Sequence, residues 1–222
     1  MIDLKKLAKT DPVQRNVEKG LEEVEHTPMD PPDAYSASTV GNTTFSDYAK
    51  PIQQLINEHK LALEKIEDFE RAVVQFKENG YQLDSKINEI FGVFFKYFDE
   101  NISNHNHKEE KTLFPVLNKK LIEAGEHSVG EHMMTAIDVM EDDHVKFIQL
   151  GVLTFNFLGL ATRISDIPSR MFIFDTAYEN ARELIESLKL HIYREDHTLF
   201  PLAHKYISKE EFEEIERLMD KF

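Results

Sequence analysis

Apolar residues recur at helical spacing along four long stretches of this chain. From about Ser46 to Asn79, ahead of Gly80, the positions Ile52, Leu55, Ile56, Leu63, Ile66 and Val73 keep to one side, with His59 among them. From about Asp84 to Ala124, ahead of Gly125, the stripe is Phe91, Phe94, Phe95, Phe98, Ile102, His105, Glu109, Leu113 and Val116. A third helix is expected from about Ser128 to Thr162, with Met133, Ile137, Met140, His144, Phe147, Ile148 and Gly151 on its inner side. The fourth starts near Asp166-Ile167-Pro168 and carries Leu184, Leu188, His191, Glu195, Leu199 and Leu202. Ser208 with Glu211 three residues on is a capping box, which predicts a short last helix. Four long amphipathic helices with short connections predict an all-α protein, an antiparallel four-helix bundle. Pro115 and Pro201 fall inside the second and fourth stretches, where loss of a backbone donor should kink each helix.

Residues 1–45 stand apart from this pattern. Asp11-Pro12 suits the start of a short helix, Pro28, Pro31 and Pro32 break it, and SASTVGNTT (36–44) reads as loop. The expected organisation is an N-terminal arm, partly irregular, over 1–45 and one bundle domain over 46–222.

The bundle repeats itself. Residues 105–117 read HNHKEEKTLFPVL and residues 191–203 read HIYREDHTLFPLA, so His105 and His191, each opening an H-x3-E and then T-L-F-P, stand 86 positions apart. Glu58-His59 and Asp143-His144 stand 85 apart. The halves are about 46–125 and 128–207.

His59, His105, Glu109, His144, His191 and Glu195 are the polar members of the apolar stripes. Spacing of i, i+4 puts His105 with Glu109, and His191 with Glu195, on one face. One histidine on an apolar face is ordinarily a core residue bonded to a neighbour. Six residues at matched offsets, all directed inward, are a ligand set for two metal ions. An ionised carboxylate in such a core costs several kcal/mol, ~20 in the idealised limit, unless it is paired or bound to metal. No Lys or Arg shares the inner stripe; Lys60, Lys108, Lys111 and Lys146 fall on other faces. Without metal, both Glu109 and Glu195 should have raised pKa values. His26, His107, His127, His132, His197 and His204 read as solvated, as do acidic pairs such as Asp142-Asp143.

Composition narrows the chemistry. The chain has no cysteine, which excludes disulfides and thiolate ligands. Imidazole and carboxylate without sulfur suit iron, with zinc or manganese as substitutes. With Glu109 and Glu195 bridging, each of two iron ions has two histidines and a free position, beside a roomy apolar pocket flanked by Met140 and Ile148. The net charge of −15 argues against nucleic acid and against an anionic membrane surface. No apolar run of membrane-spanning length and no signal-peptide pattern is seen, so the cytoplasm is the expected location and the bundle is expected to be a monomer or weak dimer.

With these residues placed, the chain resembles the hemerythrin-like (hemerythrin HHE cation-binding) family over about 48–207. His59, His105-x3-Glu109, His144 and His191-x3-Glu195 fall at that family's iron-ligand positions. MEDDH (140–144) and HIYREDHTLFP (191–201) are most similar to the family's di-iron proteins for repair of iron centres. Oxygen-carrying hemerythrins have a second histidine one helical turn from the helix-3 histidine, where this chain has Met140 and Ile148. They also end with H-x4-D where this chain has H-x3-E. The repair proteins carry a cysteine-containing N-terminal segment, which is not found here. The resemblance implies a non-haem di-iron protein, redox-active toward dioxygen, nitric oxide or peroxide, or releasing iron under stress. Its partners would be such a small ligand and an electron donor or iron acceptor protein. The alternatives are a non-enzymatic sensor, carrier or store of iron or a diatomic gas, and a structural zinc-containing bundle.

Overall fold

A computed structural model describes residues 43–128 and 133–222. Most of the expected arm, with the Asp11-Pro12 helix and His26, lies outside these residues, as does His132. Among the described residues the structure is helical throughout, with no strand.

α1 is Lys50–Glu78, with Pro51 in its first turn. It ends where Gly80 and Tyr81 adopt positive φ, 65° and 62°, and the Tyr81 N–H returns to the Phe76 carbonyl at 2.8 Å. α2 is a rod over 85–124. Asp84 caps it by accepting from the Ile87 N–H, and Gly125 at φ 80° ends it. α3 is Ala136–Ala161. It starts later than the apolar pattern suggests, because Thr135 and Asp138 form a reciprocal cap there: Thr135 Oγ1 accepts from Ile137 and the Asp138 carboxylate accepts from the Thr135 N–H. α4 is a rod over 167–206, capped by Asp166. α5 is Lys209–Met219, held by the expected Ser208 and Glu211 cap.

The prolines do not act as simple kinks. In α2 a π-helical turn, Glu109–Leu113, precedes Pro115, and in α4 the matching turn Glu195–Leu199 precedes Pro201. The N–H of Phe114 reaches back to the Glu109 carbonyl, and that of Phe200 to Glu195. One extra residue is thus accommodated before each proline, which then sits in the first turn of a new α segment where its missing donor is not needed. A third π-helical turn, Phe98–Ile102, occurs in α2 only.

The core has two parts. Phe69, Phe76, Phe91, Phe94, Phe147 and Leu184 belong to one apolar cluster. Ile52, Leu55, Leu117, Met140, Leu199 and Phe200 belong to the other, which α5 closes with Phe212, Ile215 and Met219. On every rod the passage between clusters falls at the polar residues: Leu55 and Ala62 flank His59, Ile102 and Leu113 flank His105 and Glu109, Met140 and Phe147 flank His144, and Ile192 and Leu199 flank Glu195. α3 also passes close to α2. A Cβ on Gly151 would meet the Phe98 ring at 2.9 Å. By length and composition α3 is apolar enough to cross a membrane, with 33% of its most apolar stretch buried in the bundle.

Candidate metal centre

All six polar stripe residues meet in the layer between the two clusters. They are buried, and Glu109 and Glu195 have no exposure at all. His59, His105, Glu109 and Glu195 present ligand atoms within 4.8 Å of one another, and so do Glu109, His144, His191 and Glu195. Both carboxylates therefore belong to both groups. Glu109 lies 3.6 Å from Nε2 of His105 through one oxygen and 3.6 Å from Nε2 of His144 through the other. Glu195 is likewise divided between His59, at 3.1 Å, and His191, at 3.2 Å. None of the four oxygens has a partner in hydrogen-bond geometry. Buried acceptors of this kind are rare in folded proteins, and a cation between them is the economical remedy.

The histidines lead to the same conclusion. Nε2 of His59 faces Nε2 of His105 at 3.0 Å, and Nε2 of His144 faces Nε2 of His191 at 3.2 Å. The other nitrogen of each ring meets a carboxylate: His59 with Asp196 at 2.8 Å, His105 with Glu58 at 2.9 Å, His144 with Glu110 at 2.9 Å and His191 with Asp143 at 3.4 Å. An ionised carboxylate only accepts, so it fixes a proton on Nδ1 and leaves Nε2 to face the centre.

These outer carboxylates were not evident in the sequence. Asp143, read there as part of a solvated pair, is bonded to His191. Lys108, assigned to an outward face, is buried and donates to Glu58 at 2.7 Å. Arg194 stands in the matching place beside Asp143 at 3.4 Å. Glu58 and Asp143, Glu110 and Asp196, and Lys108 and Arg194 share the offsets of the ligands themselves. That recurrence is the signal that could have revealed them.

In the metal-free state the two carboxylates diverge. Burial and the charge of Glu195 push Glu109 well above the ordinary carboxyl range. Burial also acts on Glu195, but His191 and His59 outweigh it and hold that carboxyl low, contrary to the expectation that both would rise. Burial opposes charge on His59, yet Asp196 and Glu195 raise it to about 9. His105 is lowered by burial. In the second pair burial and His191 bring His144 down to about 4, while Glu195 and Asp143 overcome burial to raise His191. In each pair one histidine is thus held toward its charged form and its partner toward the neutral one, and Glu109 is held toward its neutral form. Protons stand where cations would bind.

A cavity of about 140 Å³ adjoins one side of the layer, lined by His59, His105, His191, Ala62, Phe147 and Ile192, with exposed Leu61 and Asn101 at its rim. The pocket expected between Met140 and Ile148 is not where the open space lies. Met140 is fully buried in the second cluster and Ile148 is 51% exposed, its side chain pointing away from the bundle. Met133 is likewise exposed. Of the remaining histidines, His107 packs on Phe222, His197 stacks on Tyr193 and His204 meets Tyr48 edge-on, all away from the centre. His127 bonds the Ser128 carbonyl.

No family model matches the chain. Similar proteins include the iron–sulfur cluster repair protein YtfE of Escherichia coli O1:K1 and that of Escherichia fergusonii, each 30% identical over 104 residues, 47% of this chain and 42% of the relative. The chain thus spans under half the length of the curated relatives it matches. The buried His and Glu cluster fits a hemerythrin-like site and could hold metal.

Proposed function

We propose that this bundle holds two iron ions in a non-haem centre and acts on a small oxidising or nitrosating molecule in a stress-response role. The observation that carries the reading is the pair of fully buried carboxylates, each dividing its two oxygens between two histidine pairs. His59 and His105 would hold one ion, His144 and His191 the other, with Glu109 and Glu195 spanning both. When bound, an iron pair supplies one-electron chemistry and free coordination positions for dioxygen, nitric oxide or peroxide.

The protein's own groups do the rest. Asp196, Glu58, Glu110 and Asp143 keep the imidazoles turned so that each Nε2 faces the centre. Leu55, Phe114, Phe147 and Phe200 exclude bulk water, the rings of Phe114 and Phe200 lying stacked on His144 and His59 at 5.7 and 5.5 Å. The cavity beside His59, His105 and His191 has room for a diatomic molecule, which favours a reactive centre over a closed structural one. Similarity to proteins named for iron–sulfur cluster repair supports iron and a stress-linked role.

The test is anaerobic ferrous loading followed by metal analysis and then mixing with nitric oxide or dioxygen. About two irons per chain and a rapid absorbance change are expected. Iron near zero after loading overturns the reading, and a loaded protein inert to both gases overturns its redox part.

A further inference from the structure

We propose that the outer face of α3 is a self-association surface on which two copies of the chain pair antiparallel about a two-fold axis. Val145, Ile148, Val152 and Phe155 are 54%, 51%, 51% and 59% exposed. Their spacing of three, four and three residues is the seam spacing of paired helices. Gly159 continues the series with open space where its Cβ would be. The opposite side of α3 is already satisfied in the core by Met140, Phe147 and Leu150, so the seam is surplus to folding.

Charge selects the occupant. The chain carries a net −15, which opposes contact between copies over most of the surface. From Phe147 to Ala161 no side chain is charged. Before this neutral stretch come Asp138, Glu141 and Asp142, and Lys146, whose charge is met by Glu183 at 2.9 Å; after it comes exposed Arg163, which has no ion-pair partner among the described residues. Antiparallel pairing centred near Leu150 sets Ile148 of each copy against Val152 of the other, and Arg163 of each toward the other's acidic turn. Parallel pairing would set acid against acid. A two-fold contact of like surfaces is self-complementary only in the first arrangement.

The seam from Val145 to Phe155 is about 15 Å long at 1.5 Å per residue. On α2, Phe95 meets Phe155 edge-on at 5.2 Å, which widens it. The area remains well short of the ~800 Å² per partner of a standard interface, so the dimer is weak and reversible.

Sedimentation of the full chain over a range of concentrations tests this. A reversible monomer–dimer equilibrium is expected. Ile148→Glu and Val152→Glu should each weaken it at least tenfold, about 1.4 kcal/mol, with helicity and melting temperature retained. Arg163→Glu should weaken it, and adding Glu141→Arg should restore it. A monomer at the highest soluble concentration overturns the proposal, as does a dimer indifferent to these changes. A monomer that binds phosphatidylcholine vesicles through Val152 also overturns it, assigning the face to a lipid surface.

Discussion

Ala62 in α1 and Phe147 in α3 hold the same place in the two halves, three residues beyond His59 and His144, and only the second carries a ring. Phe147 lies edge-on to His191 at 4.9 Å. Across from His105 the matching space is the cavity that Ala62 lines. The internal symmetry of the centre is broken at this pair.

Ala62→Phe should therefore fill the cavity without removing a ligand. Azide binding to the iron-loaded protein, followed by absorbance, should slow. Phe147→Ala should enlarge the same cavity, which Phe147 also lines, at a cost of about 3–5 kcal/mol in stability. Unchanged azide binding in Ala62→Phe would place the route elsewhere.

Glu109→Gln tests the division of each carboxylate between two sites. Both metals should be lost together, while the metal-free protein should keep about its parental stability, since burial and Glu195 already hold Glu109 toward its neutral form and Gln is a neutral isostere. Metal analysis and thermal melts read the two effects. One ion retained at full occupancy would show that Glu109 serves a single site.

The outer carboxylates offer a graded change. Asp196→Asn and Glu58→Gln should each lower affinity about 10–100-fold, because the substituted amide no longer holds the Nδ1 proton of His59 or His105 as firmly. Chelator competition measures this, and parental affinity in both variants would reduce these contacts to surface hydrogen bonds. Glu58 is particularly committed: burial pushes its carboxyl up, but hydrogen bonds from His105, Lys108 and Gln54 bring it down to about 2.

The pH dependence follows from these protonation states. His59 has a folded-state value of about 9, above its ordinary 6.5. Its contribution to metal-free stability is complete below 6.5 and is lost as pH rises through 9. Glu109, raised in the fold, acts in the same direction, since the unfolded chain releases that proton at lower pH. The metal-free melting temperature should fall between pH 6.5 and 9, and that of loaded protein should change much less. Loading at neutral pH should release protons, that of His59 among them. Calorimetry in buffers of different ionisation enthalpy counts them. No net release would contradict this proton distribution.

The helical fold and the convergence of His59, His105, Glu109, His144, His191 and Glu195 were legible because an inward stripe and a repeat offset are properties of sequence alone. The outer carboxylates were not, because an acid adjoining a buried ligand has the same local pattern as one on a solvated face. Asp143 and Lys108 show this. Ile148 was misplaced for a related reason: α3 is apolar on both sides, so periodicity does not say which side is the core. The late start of α3 depended on Thr135 and Asp138, whose capping outweighs the apolar pattern upstream.

The π-helical turns at Glu109–Leu113 and Glu195–Leu199 bear on how the two halves relate. An additional residue in a helix rotates everything beyond it, so it is retained only where the rest of the rod has adapted to it. Both halves hold that residue at the same place, between the ligand carboxylate and the proline. The third turn, Phe98–Ile102, has no counterpart in α4. The shared turns therefore follow the internal repeat, and the unshared one departs from it. Each half supplies one carboxylate and two histidines, so neither half alone completes the buried polar layer.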